Sequence, residues 1–360
     1  MHSCKVIAMK ALLLSEYREL ELVEAPLPEL APDEILLQVE ACGICGSDVH
    51  GYDGSSGRRI PPLIMGHEAA GVIAKVGSGV TDWGVGERVT FDSTLYCGSC
   101  PYCRRGEINL CDNRQVFGVS CKDYRRNGAF AEYLAIPARV LHRLPSELSF
   151  TEAAMIEAVS VALHAVSISK FRRGETALVL GAGMIGTLIV QALRVEGASH
   201  IFVVDPDKSR VDAAGKVGAH TPIHLGTDDT NSDVSGIVFQ HYAQGVDHVF
   251  EAVGFGATVK TAINAVRKGG TVTLVGNIDP NVELPLQAVV TRQIRLQGSA
   301  ASAGEYPRAI ELLASKQIDV SSLISAVEPL SNGAAAFERL YRKEANLIKV
   351  ILTPNVGNGD

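Results

Sequence analysis

The chain has 360 residues, 46% of them hydrophobic and 20% charged, with a formal net charge of −7. That length supports two domains with cores of their own, and the acidic balance excludes the clustered basic face that nucleic-acid binding needs. No apolar run is long enough to span a bilayer and the residues Met1-His2-Ser3-Cys4-Lys5 lack a signal-peptide layout, so a cytoplasmic protein with reduced cysteines, no membrane and no nucleic-acid partner is expected.

In chain order, residues 6–12 and 34–40 are β-prone runs, and Pro26, Pro28 and Pro32 break the chain between them. The second run leads into Cys45-Gly46-Ser47-Asp48-Val49-His50, and Gly66-His67-Glu68 follows after a gap. Cys and His are the usual ligands of Zn²⁺, and Glu can be a third, so Cys45 and His67 read as holders of a catalytic metal. A buried thiol and a core histidine is the plainer alternative. Short β-prone runs at 70–77 and 86–91, separated by turn-rich sequence, point to an antiparallel barrel-like domain.

Cys97, Cys100, Cys103 and Cys111 have the spacing C-x2-C-x2-C-x7-C. Four thiolates on one short loop close a tetrahedron around Zn²⁺ with no open position, which is a structural site. An iron–sulfur cluster is the alternative, but ferredoxin-type runs space their cysteines differently. Residues 128–134 read as a strand ending near Pro137, and Ser149 or Thr151 as the cap of a largely apolar helix. Glu157 is out of place in that helix, because an unpaired carboxylate in apolar surroundings is costly. It reads as a third metal ligand or a metal-facing base, or otherwise as a surface glutamate.

From about residue 158 the pattern changes. Residues 158–166 are apolar and helical, and 175–180 form a buried strand that runs into Gly181-Ala182-Gly183-Met184-Ile185-Gly186 and a helix over 187–196. A second strand over 201–204 ends in Asp205, about 20 residues on, where an acid meets the adenine-ribose 2′-hydroxyl. The pyrophosphate of a dinucleotide is expected over Gly181, Gly183, Met184, Ile185 and Gly186, on the positive helix N-terminus. Asp205 would repel a 2′-phosphate, which selects NAD over NADP, while Lys208 and Arg210 stand close by. Arg210, Val253, Val275 and Gly276 complete the expected cofactor contacts. Strands at 246–251, 268–276 and 293–298 alternate with helices, a doubly wound parallel sheet. Helices are expected over 305–316 and 330–342, with Ser331 as cap. A closing strand at 348–352 is expected to rejoin the first domain, followed by a frayed Gly/Asn-rich tail beyond Pro354.

A G-H-E motif downstream of C-G-S-D-x-H, a four-cysteine lobe and a dinucleotide fold together resemble the zinc-dependent medium-chain dehydrogenase/reductase family, over nearly the whole chain. Within it, Met65-Gly66-His67-Glu68 and the run 156–164 look most like polyol dehydrogenases such as sorbitol and galactitol-phosphate dehydrogenases. The resemblance implies an α/β architecture: a Rossmann NAD-binding domain at 158–298 and a mainly β, GroES-like catalytic domain at 1–157 and 299–360, with a zinc lobe at 95–113. It implies two Zn²⁺ per subunit, one on Cys45, His67 and Glu157 with Glu68 able to enter the shell, the other on Cys97, Cys100, Cys103 and Cys111. It makes Ser47 and His50 the proton relay of a reaction that oxidises a secondary hydroxyl of a small polyol by hydride transfer to NAD, in the cleft between domains. It also implies a homodimer or homotetramer. Ala158 stands where polyol dehydrogenases usually have proline, and residues 298–302 are small where sorbitol dehydrogenases carry an arginine. These departures keep open an L-threonine 3-dehydrogenase, a butanediol-type dehydrogenase, or a non-catalytic NAD-binding zinc protein.

Overall fold

The β-prone runs at 34–40 and 70–77 become the long strands Glu34–Gly43 and Glu68–Val76, which pair antiparallel with Cys42 opposite Ala69 and Gly43 opposite Glu68. Both bury Ile35, Leu37, Val39, Ala69 and Ile73 in one apolar core, the alternation that a strand with one core face requires. In the computed structural model, which describes residues 8–226 and 233–354, these strands lie in a seven-stranded sheet. Its path runs Leu141–Arg143, Arg88–Phe91, Glu68–Val76, Glu34–Gly43, Lys349–Thr353, Ile324–Pro329, and Tyr133–Pro137 pairs with Glu34–Gly43 as well. This is the first of two units; it runs through Glu157 and takes in Tyr306–Ala314 and the chain from Val320.

The second unit holds Ala158–Glu305 and Ser315–Asp319. Its six strands are all parallel, in the order Thr221–His224, His200–Asp205, Thr176–Leu180, Val246–Glu251, Val266–Leu274, Arg295–Gly298. Numbered along the chain that order is 3-2-1-4-5-6, the doubly wound dinucleotide-binding arrangement. The strand Thr176–Leu180 is buried throughout, as a parallel strand covered on both faces must be. Residues 299–305, grouped with the β-rich domain on sequence, pack with this second unit instead.

Several elements differ from the sequence expectation, each for a local reason. The strand expected over 128–134 begins only at Tyr133, because the amides of Gly128, Ala129 and Phe130 are spent on the carbonyls of Ile64, Gly66 and Met65. The helix after the glycine turn starts at Met184 rather than 187, since Gly183 is already its N-cap residue. Ser331 caps nothing: residues Leu330–Asn332 form a 3₁₀ turn and the helix Gly333–Tyr341 follows. The strand Glu19–Pro26, which hairpins onto Ala8–Glu16, was hidden by its glutamate-rich alternation. Ser149, not Thr151, caps the helix Phe150–Ala153, sharing a capping box with Glu152. Val6, Ile7 and the tail after Pro354 lie outside the described residues.

Candidate metal centre and nucleotide loop

Strand pairing assembles the centre. Cys45 follows the strand Glu34–Gly43 by two residues, and Glu68 opens the neighbouring strand directly opposite Gly43. The ligand atoms of Cys45, His67 and Glu68 consequently lie within 4.8 Å of one another, with His67 and Glu68 buried. Cys45 is also the N-cap of the helix Gly46–Tyr52: its Sγ accepts from Ser47 N at 3.5 Å, and Asp48 Oδ2 accepts from Cys45 N at 3.3 Å.

Three residues overlooked on sequence complete this arrangement. Asp48 is fully buried, with its Oδ1 3.4 Å from His67 Nδ1. Arg59 donates to the same oxygen from Nε (3.1 Å) and from a terminal nitrogen (2.9 Å), and that nitrogen also donates to Ser47 Oγ (3.2 Å). Burial opposes the Asp48 charge, but His67 and Arg59 outweigh it and hold the carboxyl well below the usual range. His67 is driven the opposite way: burial works against its protonation, while Asp48 and Cys45 raise its pKa well above the ordinary imidazole value. Nδ1 stands in ion-pair range of the Asp48 carboxylate without a hydrogen bond to it, the side from which a carboxylate commonly orients a ligating histidine.

Lys349 is the third. Its ammonium is fully buried, pairs with Glu68 Oε2 and donates to Ile44 O at 3.1 Å. Burial disfavours that charge, yet Glu68 and Cys45 raise the Lys349 pKa above its ordinary value. Gly43 leaves room for the pair, since a Cβ there would stand 2.5 Å from Glu68 Oε2 and 3.1 Å from Lys349 Cε. Glu68 Oε1 is buried and has no hydrogen-bond partner. An orphaned carboxylate oxygen beside a thiol and an imidazole fits a divalent cation. Nothing local flagged Lys349, which stands in a closing apolar strand.

Glu157 is not within that close cluster. It lies on the helix Ile156–Ile168, and its carboxyl is pushed up to about 7 by desolvation, with the Glu68 charge adding and His67 and Lys349 opposing. A carboxyl poised in this way ionises when a cation comes near. Ser47 and His50 are exposed on the helix Gly46–Tyr52.

Cys97, Cys100, Cys103 and Cys111 form a second cluster of the same tightness. Cys97 Sγ accepts from the amides of Ser99 and Cys100, Cys100 Sγ from Cys103 N, and Cys111 Sγ from Cys97 N and Asn113 N. Those donors hold Cys97 down to about 5, while desolvation and the neighbouring sulfurs push Cys103 up to about 12. Backbone amides aimed at sulfurs that cannot all ionise side by side describe a thiolate set that needs a cation, so the residues fit a structural zinc.

In the second unit Gly181 takes φ +94° and a Cβ on it would strike Val253 Cγ2 at 2.7 Å, whereas Gly183 faces open space. Gly186 packs so closely that a Cβ would meet Gly181 O at 1.8 Å. Met184 and Ile185 open the helix Met184–Glu196. Asp205 Oδ2 accepts from Ala182 N and Oδ1 from Asp207 N, both at 2.8 Å, so this carboxylate braces the glycine turn from the next strand. Val275 N bonds to Glu251 O, and Gly276 abuts Val253 and Gly254. Arg210 instead pairs with Asp207 at 3.6 Å, on the helix Lys208–Lys216. The open Gly183 and the helix N-terminus behind it fit a dinucleotide pyrophosphate.

Comparison with known proteins agrees with this geometry. Residues 31–146 match the family model described as alcohol dehydrogenase GroES-like domain, and residues 185–315 match the one described as zinc-binding dehydrogenase. The chain is 35% identical over 352 residues to sorbitol dehydrogenase of Bacillus subtilis (strain 168), covering 96% of this chain and 98% of that protein. It is 35% identical over 304 residues to L-idonate 5-dehydrogenase of Vitis vinifera, covering 83% and 82%. A structure from Sinorhizobium meliloti 1021, described as a zinc-binding dehydrogenase bound to NADP, superposes with a TM-score of 0.89 at 32% identity, covering 97% of this chain and all of that one (100%).

Removing one member of a buried pair strands the other. Lys349→Met is expected to lower unfolding free energy by about 3–5 kcal/mol, and adding Glu68→Gln to recover part of it. Denaturant melts of the two single variants and the double variant measure this; strictly additive losses would show that the two side chains do not act as a pair.

Proposed function

We propose, because this chain belongs to the zinc-dependent medium-chain dehydrogenase/reductase family, that it oxidises a secondary hydroxyl of a polyol to a ketone, with NAD as hydride acceptor and Cys45, His67 and Glu157 as holders of the catalytic zinc. The observation that carries this reading is the Cys45–His67–Glu68 cluster with its orphaned Glu68 oxygen. Polyol chemistry is favoured by the sorbitol and L-idonate dehydrogenases among its relatives. Bound zinc supplies Lewis acidity toward an alcohol, and the nicotinamide accepts hydride.

The chain's own residues do the rest. Asp48 orients His67, and Lys349 holds Glu68 close to the metal without neutralising its second oxygen. Glu157 charges as the cation approaches. Ser47 accepts the alcohol proton while releasing its own hydroxyl proton, and His50, one turn along the same helix, passes a proton on to solvent. Arg59, donating to Ser47 Oγ, steadies that oxygen as the proton passes. The second zinc, on Cys97, Cys100, Cys103 and Cys111, is structural. NAD is preferred because the Asp205 carboxylate stands at the end of the strand His200–Asp205, although the Sinorhizobium neighbour binds NADP. The chain assembles as a homodimer or homotetramer, a reading supported by exposed Ile278, Val282, Leu284, Leu286 and Val290 just before the edge strand Arg295–Gly298.

Elemental analysis is expected to find two zinc ions per wild-type subunit and one in Cys45→Ser, with turnover of polyols lost in the variant and faster with NAD⁺ than NADP⁺ in the wild type. One zinc in both proteins would leave the Cys45 centre without its metal and end the dehydrogenase reading. His50→Gln is expected to slow turnover at neutral pH by about tenfold or more, with the loss shrinking as pH rises and solvent base replaces the imidazole; an unchanged pH–rate profile would remove His50 from the proton path. Light scattering should return two or four subunits, and a monomer would refute the assembly.

A further inference from the structure

Five arginines gather around the paired strands Val119–Ser120 and Arg125–Arg126 in the first unit. Ser120 N donates to Arg58 O, Arg59 bridges to Ser120, and Arg126 Nε donates to Gln115 Oε1, next to Arg114. Three of the five are spent. Arg59 is held by Asp48, Arg125 donates to Ser120 Oγ and Pro61 O, and Arg126 is held by Gln115. Among the described residues the side chains of Arg58 and Arg114 form no ion pair and no hydrogen bond, and Arg114 Nε is buried without a partner.

A desolvated guanidinium with open donors is costly unless something fills them. Arg114 lies within electrostatic reach of Arg58, Tyr124, Asp92 and Glu157. Asp92 is committed to Thr94 N at 2.8 Å, and Glu157 belongs to the metal centre on the reading above. Arg58 repels Arg114 rather than satisfying it, and Tyr124 uses its hydroxyl oxygen as acceptor for Val116 N. Two open guanidinium forks, Arg114 within electrostatic reach of Glu157 and Arg58 within reach of Arg114, are complementary to one oxyanion group, which Arg binds through paired N–H donors.

We infer that Arg114 and Arg58 receive an anionic group at the far end of the substrate from the reacting hydroxyl, so that this enzyme acts on polyols bearing a phosphate or a carboxylate in preference to neutral ones. This rests on the polyol reading of the same site. A phosphate and a carboxylate present the same chemistry to these forks, and the assay separates them.

The zinc-loaded enzyme is assayed with NAD⁺ on sorbitol, sorbitol 6-phosphate and gluconate, for the wild type, Arg114→Gln, Arg114→Lys and Arg58→Gln. At least one anionic polyol is expected to exceed sorbitol in kcat/KM, and whichever leads identifies the anion. Arg114→Gln is expected to lower the anionic-to-neutral ratio by about 10- to 100-fold, with Arg114→Lys recovering part of it. Inorganic phosphate should compete with sorbitol in the wild type and less well in Arg114→Gln. Arg58 is exposed, so Arg58→Gln reports on the same ratio even if Arg114→Gln does not fold. Sorbitol equal to or better than both anionic polyols, or a ratio unmoved by Arg114→Gln and Arg58→Gln, overturns this inference and leaves polyol oxidation standing. No turnover of any of the three polyols overturns polyol oxidation and this inference together.

Discussion

A lysine and a glutamate, both fully buried, face each other where three strands meet. Glu68 and Lys349 are 281 residues apart in sequence, and neither side chain reaches solvent. A buried charge without its counter-charge is far more costly than a surface one, so the fold is constrained to bring the strands Glu34–Gly43, Glu68–Val76 and Lys349–Thr353 together at this point. The absence of a side chain at Gly43 makes the approach possible. The closing strand therefore does more than complete a sheet: it delivers the cation that keeps one oxygen of Glu68 occupied while the other stays buried without a hydrogen bond.

Charge around the centre is arranged in compensated pairs. Asp48 is balanced by Arg59, and Glu68 by Lys349. The Cys45 sulfur and the Glu157 carboxyl stand outside these two pairs, and both are donors that suit a divalent ion. Low local dielectric strengthens each pairing and makes an unpaired member expensive. The carboxyl of Glu157, poised at about 7, is the member free to respond when charge arrives. The four-cysteine loop achieves the same end with backbone amides in place of counter-charged side chains.

The nucleotide-binding half obeys a different constraint, steric rather than electrostatic. A left-handed glycine, an open glycine and a glycine pressed against a carbonyl make a turn that brings backbone amides to the edge of the sheet. Asp205, expected as a ribose partner, ties that turn to the neighbouring strand through Ala182 N. Such features are local, which is why the turn, the buried strand before it and the alternation of strands and helices were all legible in the sequence. Boundaries were less so: backbone amides of 128–130 were committed to a distant loop, and Gly183 began its helix earlier than the apolar period indicates.

Residue type and spacing by themselves marked Cys45, His67 and Glu68 and the four cysteines as groups to look for together, along with the glycine turn and the division into a β-rich part and a doubly wound part, because thiol spacing, glycine placement and hydrophobic period are properties of short stretches. Only the tertiary structure decided which charges meet. Asp48 is one residue of a short motif and Lys349 one residue of a closing strand, and neither they nor Arg58, Arg59 and Arg114 carry a local signal of their own. Their roles follow from strand register and burial, which bring residues far apart in sequence into one low-dielectric site and leave some of them paired and others open. No pattern within a window of a few residues carries that information, since the energy of a buried charge depends on what lies beside it in space.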